Sequence, residues 1–166
     1  SFATMDLALL DWARGQAKFY KMGAASSFLI RGSHVRRIDQ AALPIGIIPT
    51  LKLTHRSATL ALGDIIVMVS DGITEADKDD DEAQWLQEIL AHVVPQSREG
   101  AAQQSKEQVA QQSREGAAQQ SKEQAAQQNL APRRLAQQIL AEAQQRYGCR
   151  ENDDLTVLVA LVESTR

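Results

Sequence analysis

The chain has few of the residues that cross-link a fold or anchor it in a membrane. It contains one cysteine, Cys149, among 166 residues, so it cannot form an internal disulfide bond, which is typical of a reducing compartment. Aromatic residues make up only 4%, so the core must rest on Leu, Ile, Val and Ala. No apolar run approaches the ~20 residues needed to span a bilayer, so we expect no membrane contact by this chain.

The sequence also lacks an excess of positive charge and a histidine motif. Its formal net charge of −3 gives no electrostatic basis for binding nucleic acid, whose protein partners normally carry a clustered basic surface. The histidines His34, His55 and His92 are scattered, without the short spacings of a zinc site. We therefore expect neither nucleic acid nor zinc as a partner.

What is present in residues 1–70 is a series of short apolar segments separated by tight turns. Turn-forming residues occur at 11–16, 31–34 and 62–64, which is typical of antiparallel hairpins rather than of alternating strands and helices. Residues 43–49 are punctuated by prolines and are predicted to form an edge or connecting segment. Because the chain opens directly in the apolar segment 1–11, we expect it to be a truncated piece of a longer domain.

The second half predicts two helices and a strand. Acidic residues precede a set of apolar residues at helical spacing, and Pro132 marks the start of a second helix that ends near Tyr147–Gly148. Residues 155–162 are apolar on both faces, which predicts a central strand. The apolar residues are Trp85, Leu86, Ile89, Leu90 and Val93 for the first helix and Leu135, Ile139, Leu140 and Ala143 for the second.

A near-perfect repeat separates the two helices. Residues 96–111 and 112–127 differ only at Val109 and Ala125, and each unit divides into two similar octets. The composition favours helix, but an eight-residue period drifts by about 80° per octet and makes no single buried stripe. We expect 96–127 to be a helical insertion in an elaborated connection, not a coiled coil or a solenoid.

Two acidic residues stand where a polar loop meets a deeply apolar strand. Asp71 follows IIVMVS, and Asp153 lies just before LTVLVALV. If the two strands are neighbours, the carboxylates meet and repel each other unless a cation lies between them. Oxygen ligands of this kind suit Mg²⁺ or Mn²⁺. On spacing alone, an ordinary Asp-Gly turn and a solvated cap before a strand are the favoured explanation of these residues, ahead of a metal site.

The order of motifs resembles the C-terminal two-thirds of a metal-dependent serine phosphatase domain of the PPM superfamily. The specific similarity is to the stage II sporulation protein E family, and it covers most of the chain outside the repeat. The resemblance implies an α+β fold in which an antiparallel β-sandwich is flanked by helices, here incomplete, within a single domain fragment over 1–166. The matching segments are FATMDLALLD (2–11), KFYKMGAASSFLIRG (18–32), LPIGI (43–47), LALGDIIVMVSDGITEA (60–76) and NDDLTVLVALV (152–162).

Carried over residue by residue, the resemblance implies that Asp71 and Asp153 are metal ligands. Gly72 and Asp154 take supporting places, because Gly72 allows close backbone approach and Asp154 stands where the family has Asn or Asp. Two Mn²⁺ or Mg²⁺ ions in the complete domain would activate a water for direct hydrolysis of a phosphoserine, without a protein nucleophile.

The family's upstream Asp-Gly pair, whose aspartate bridges the two ions, does not occur in this sequence. We therefore expect the isolated chain to bind Mn²⁺ weakly and to have little or no activity. The resemblance further implies a phosphorylated anti-anti-sigma factor as substrate, a cytoplasmic position for this domain and a membrane-anchored parent protein. Exposed sheet edges in a truncated sandwich favour a homodimer or a strand-swapped assembly.

Two other interpretations remain open at the level of sequence. The domain could be a non-catalytic module that binds a phosphoprotein or another partner. Alternatively, the Gln/Ala-rich repeat could be a helical interaction arm on an inert scaffold.

Overall fold

The computed structural model describes residues 1–50, 53–77, 80, 83–92, 117–148 and 154–163, with the backbone alone for 117–131. The strands in this part are β1 (Met5–Asp11), β2 (Gln16–Met22), β3 (Ser27–Arg31), β4 (His34–Ile38), β5 (Arg56–Thr59), β6 (Ile65–Val69) and β7 (Val157–Leu161). The helices are α1 (Asp71–Thr74), α2 (described over 84–92) and α3 (Ala117–Tyr147).

The strands form two antiparallel sheets packed face to face. One has the order β1-β2-β5 and the other β4-β3-β6-β7. Side chains from both sheets, among them Phe19, Leu29 and Ile66, fill the space between them. The α+β sandwich expected from the sequence is therefore confirmed, and its two apolar layers follow the alternation of side chains along each strand.

The helices cover the outer face of the four-stranded sheet. Phe28 and Val67 point away from the sandwich interior and pack in one cluster with Leu86 of α2 and Ile139 of α3. This explains why β3 and β6 are apolar at successive positions, since one face meets the other sheet and the opposite face meets the helices. The apolar faces predicted for the two helices are confirmed over the residues that the structure describes.

The hairpins predicted at the turns 11–16 and 31–34 are confirmed. The turn at 62–64 forms no hairpin, because it joins β5 to β6 and these strands belong to different sheets. β3 and β4 are joined by a two-residue turn in which Gly32 has φ +59°, a conformation that glycine adopts without steric cost. Residues 43–49 serve as the expected connection, and Ile45 makes only an isolated bridge with Ala3. The neighbouring Gly46 lies so close to the Ser1 carbonyl that a Cβ there would be 2.6 Å from its oxygen.

Pro132 does not mark the start of the second helix, so that prediction was wrong. α3 begins at Ala117, and Pro132 lies inside it. The upstream residues are rich in Ala, Gln, Glu and Lys. Their high helix propensity offsets the loss of the one hydrogen bond that proline cannot donate. The predicted end is correct, because α3 finishes at Tyr147 and Gly148 follows with φ +60°.

β7 is not a central strand. Among the described strands it pairs with β6 alone and lies at the sheet edge. Its apolar character has another cause, since Val157 and Val159 pack against the helical layer while Ala160 packs towards the other sheet. Leu158 remains 51% exposed.

Residues 96–116 of the repeat lie outside the described residues, and 117–127 form the first part of α3. The helical repeat insertion over 96–127 therefore stays a prediction.

A charged cluster is buried at one end of the sandwich. Lys21 is only 1% exposed, and its Nζ donates to Asp6 Oδ2 at 2.7 Å and to the Ala25 carbonyl. Ser27 Oγ donates to the same Asp6 oxygen at 3.0 Å. These bonds tie β1, β2 and the start of β3 together, and they fix the loop over 23–26.

This cluster gives the fold a pH dependence. Burial lowers the pKa of the Lys21 ammonium, although its hydrogen bond to Asp6 opposes the shift. The unfolded chain keeps this proton up to about pH 10.4, so between the folded pKa and that value the unfolded state binds more protons. We expect the contribution of Lys21 to the free energy of unfolding to be lowest below this window and to rise with pH through it.

Urea unfolding of the wild type and of Lys21→Met between pH 8 and pH 10.5 measures this. The stability of the wild type relative to the variant should increase with pH. A relative stability that falls with pH would mean that the lysine pKa is raised in the folded state.

Candidate metal centre

The sheet topology brings the two acidic motifs to the same end of the sandwich. The last residue of β6, Val69, is paired with the first residue of β7, Val157, in the antiparallel register. The chain that leaves β6 through Ser70 and Asp71 therefore lies beside the chain that enters β7. The condition on which the metal-site prediction depended, that the two strands are neighbours, is met.

Ser70 holds these two chain segments together. Its N–H donates to the Thr156 carbonyl at 3.0 Å, and its Oγ donates to the Asp154 carbonyl at 2.8 Å. The Thr156 N–H in turn donates to Ser70 Oγ at 2.9 Å. Three hydrogen bonds thus fix the position from which Asp71 emerges relative to Asp154.

Asp71 is presented at the end of a rigid strand. It is the first residue of α1 and is exposed, whereas Gly72 and Ile73 behind it are buried. Asp71 Oδ1 accepts the Gly72 N–H at 3.0 Å, and within the described residues no lysine or arginine pairs with this carboxylate. An exposed carboxylate with spare acceptor capacity beside a second acidic segment suits a hard divalent cation.

The C-terminus of α3 supports this turn from below. The hydroxyl of Tyr147 is buried and donates to the Gly72 carbonyl at 2.8 Å. The neighbouring Arg146 pairs with Asp77 at 2.7 Å and lies 4.9 Å above the ring of Trp85. The turn that carries Asp71 is therefore bonded directly to α3, and Arg146 of α3 also contacts Asp77 and, in α2, Trp85.

The structure places the predicted site residues as follows. Asp71, Gly72 and Asp154 lie at one end of the sandwich and are linked through Ser70. Asp153 lies outside the described residues, so its role as a ligand stays a prediction. Within the described ranges no group of three or more His, Cys, Asp or Glu side chains is placed to hold a metal ion.

Sequence reasoning assigned no role to Ser70 or Tyr147. Ser70 stands between an apolar strand and an acidic residue, which is a position where a hydroxyl can bridge neighbouring backbones. Tyr147 was interpreted only as the end of a helix. A buried tyrosine usually finds a partner for its hydroxyl, and that rule is the signal from which its contact could have been suspected.

Removing the Tyr147 hydroxyl should weaken the turn that carries Asp71. In Tyr147→Phe the Gly72 carbonyl loses its buried donor, which we expect to cost about 1–2 kcal/mol of unfolding free energy. We also expect Mn²⁺ affinity to fall, because the turn is less rigidly held. Urea unfolding and calorimetric titration with Mn²⁺ measure both effects.

Tyr20→Phe is the matched control, since Tyr20 lies on β2 and its ring is 5.3 Å from that of His55, far along the chain from the Asp71 turn. Equal losses in the two variants would show that Tyr147 has no special connection to the acidic turn.

Comparison with known proteins identifies the family. The family profile described as Stage II sporulation protein E (SpoIIE) matches residues 1–125, which is most of the chain. The chain belongs to this family. Two curated relatives, both named Stage II sporulation protein E, are 39% identical in Bacillus subtilis (strain 168) and 35% identical in Priestia megaterium, each over 77 residues. Those residues are 46% of this chain but only 9% and 13% of the two relatives.

Solved structures support the same fold for this SpoIIE-family chain. The phosphatase domain of SpoIIE from Bacillus subtilis has a TM-score of 0.63 at 24% identity, covering 99% of this chain and 58% of that one. The RsbU and RsbW domains of Rv1364c from Mycobacterium tuberculosis have a TM-score of 0.61 at 19% identity, covering 98% and 37%. The chain therefore has the fold of a PP2C-type phosphatase domain and spans about three-fifths of the first of these structures.

Proposed function

We propose that the complete domain containing this chain is a Mn²⁺- or Mg²⁺-dependent protein serine phosphatase. The observation that carries the proposal is the pairing of β6 with β7, which sets the Asp71 turn beside residues 154–156. Membership of the SpoIIE family and the PP2C-type fold support the same conclusion.

In this proposal Asp71 and Asp153 hold the divalent ions, with Asp154 and Gly72 in supporting positions. The bound ions supply a Lewis acid that activates water and balances the charge of the phosphoryl group. The chain's own part is to hold its acidic side chains in place before the substrate arrives. Ser70 and Tyr147 do this through the backbone of the turn, so little reorganisation is needed when the ion and the phosphate bind.

We infer from the family that the substrate is a phosphorylated anti-anti-sigma factor and that the reaction controls a sporulation sigma factor. The family description and the names of the curated relatives support the link to sporulation. We further propose that this domain lies in the cytoplasm and belongs to a membrane-anchored parent. No helix in the described part of the chain is both long and apolar enough to cross a membrane.

The test is a phosphatase assay on two proteins: this chain alone, and this chain preceded by the upstream segment that carries the family's first Asp-Gly pair. We expect Mn²⁺-dependent release of phosphate from a phosphoserine protein by the longer protein and little or none by the chain alone. Absence of release by the longer protein at millimolar Mn²⁺, while it is folded by circular dichroism, would rule out the enzyme.

A partner-binding module is the alternative that the same assay distinguishes. If the longer protein binds a phosphoprotein without releasing phosphate, the module explains the domain better. Deleting 96–127 tests the interaction arm. We expect folding and activity to survive, because the described residues of α3 that pack in the core begin at Leu135, beyond the deleted stretch.

We also propose that the isolated chain self-associates. β7 uses one edge only among the described strands, and Leu158 on that strand is half exposed. An open strand edge with apolar side chains favours pairing between copies. Sedimentation velocity over a range of concentrations should show a homodimer or a strand-swapped assembly, and a monomer at the highest concentration would exclude both.

A further inference from the structure

A groove with two arginines lies at the same end of the sandwich as Asp71. Its volume is about 590 Å³, which is large enough for a few side chains of a bound peptide. We call it the arginine groove. Its lining includes Ser26, Arg37, Gln40, Arg56, Thr74 and Ala83.

The groove borders directly on the acidic turn. Thr74 belongs to α1, the helix that Asp71 begins, and its Oγ1 donates to the Asp71 carbonyl at 3.0 Å. A chain segment whose phosphoserine reaches Asp71 would therefore place its neighbouring residues along this groove.

The charges of the lining favour an acidic segment. Arg37 is fixed, because its Nε donates to Ser26 Oγ at 2.8 Å and also lies 3.3 Å from Asp39. Arg56 is exposed, and its Nε makes one long contact of 3.4 Å with the Asp39 carbonyl oxygen. Among the described residues no carboxylate pairs with Arg56. Among the described lining residues, the guanidinium groups of Arg37 and Arg56 lie beside one carboxylate, that of Asp39, so this part of the lining carries more positive than negative charge.

The loop that forms one wall of the groove is held in place by the buried Lys21. Ala25 and Ser26 belong to the loop whose Ala25 carbonyl accepts a hydrogen bond from the buried Lys21. The lysine is in turn paired with Asp6. This loop is therefore part of the rigid end of the sandwich, and the groove is formed before a ligand arrives, which lowers the entropic cost of docking.

We propose that the arginine groove docks acidic residues that flank the phosphoserine of the substrate protein, with Arg56 as the main charge contact. This rests on the proposed phosphatase function and adds to it the class of substrate sequence that is preferred. Arg56 is a specificity residue in this account, since it binds residues beside the phosphoserine and not the reacting phosphate.

The test uses this chain itself, without metal, so that no hydrolysis occurs. Three fluorescein-labelled heptapeptides are titrated in EDTA at low ionic strength: phosphoserine flanked by aspartates, phosphoserine flanked by asparagines, and serine flanked by aspartates. Fluorescence anisotropy gives the affinity for the wild type, Arg56→Gln and Arg36→Gln. Arg36 is the matched control, because it is exposed, belongs to β4 beside Arg37 and projects to the opposite face.

We expect the wild type to prefer both aspartate-flanked peptides over the asparagine-flanked one. Arg56→Gln should weaken the aspartate-flanked peptides about threefold to fivefold, which is the effect of one partly screened charge pair, and Arg36→Gln should leave them unchanged. Equal losses in both variants, no preference for aspartate, or no binding up to about 1 mM would overturn the proposal. An effect of Arg56→Gln confined to the two phosphorylated peptides would also overturn the proposal, since Arg56 would then bind the phosphate and not the flanking aspartates. None of these outcomes depends on metal, so they are distinguishable from failure of the phosphatase assay.

Discussion

Asp71→Asn should lower the rate of phosphate release at least about a hundredfold. The rate is that of the longer protein, in which this chain is preceded by the upstream segment with the family's first Asp-Gly pair. Even residues that only orient metal ligands typically change metal affinity or activity 10–100-fold, and a direct ligand should matter at least as much. Asparagine keeps the size and one acceptor oxygen but removes the negative charge that holds a divalent ion. The fold should be unaffected, because Asp71 is exposed and, among the described residues, its carboxylate makes only a local hydrogen bond to Gly72.

Glu75→Gln is the matched control, since Glu75 is an exposed acidic residue that directly follows the short helix α1. It should keep nearly full activity. Initial rates at saturating and at limiting Mn²⁺ separate a loss of metal affinity from a loss of turnover. Full activity in Asp71→Asn at limiting Mn²⁺ would remove this residue from the metal site.

Lys21→Met should destabilise the domain by about 3 kcal/mol. The substitution leaves the Asp6 carboxylate largely buried without its cation, and breaking one partner of a buried ion pair usually costs 3–5 kcal/mol. The lower figure is expected here because the Asp6 side chain remains 16% exposed and keeps the hydrogen bond from Ser27. Urea unfolding at pH 7 measures the loss.

The second substitution Asp6→Asn should recover about half of that loss when it is added to Lys21→Met. It removes the uncompensated charge and keeps an acceptor for the Ser27 hydroxyl. Lys18→Met, an exposed position on the same strand, should change the unfolding free energy by less than about 0.5 kcal/mol. A double variant as unstable as Lys21→Met alone would mean that the buried charge is not the source of the instability.

The hairpins and the two apolar layers could be predicted because local chemistry determines them. The Arg31–His34 turn needs a residue at positive φ, and Gly32 is the residue that supplies it. β6 is apolar at every position, and this pattern is what a strand buried on both faces requires. Whether β6 and β7 are neighbours could not be predicted from the sequence, and the observed register shows that they are.

The buried ion pair was missed although its signal is present in the sequence. Lys21 follows Ala17 and Phe19 at two-residue spacing on one strand face, and Asp6 shares a face with Ala8 and Leu10. When each of two adjacent strands has one charged residue on its buried face, and the charges are opposite, a buried ion pair is indicated. Recognising it requires the register of β1 against β2, which periodicity alone does not give.

The wrong predictions for Pro132 and for β7 came from local rules that the tertiary structure overrides. Pro132 suits a first helical turn, but propensity upstream extended α3 through it. β7 was expected in the centre of a sheet because both its faces are apolar. An edge strand can satisfy the same pattern when helices cover one face and a second sheet lies behind the other.

The most direct measurement of the central claim is an anomalous difference map from crystals of the domain completed with its upstream segment and grown with Mn²⁺. The account predicts a manganese peak about 2.0–2.2 Å from an oxygen of Asp71 and within the same distance of an oxygen of Asp153. It would be contradicted by a map in which the two carboxylates lie too far apart to share an ion, with any manganese bound elsewhere.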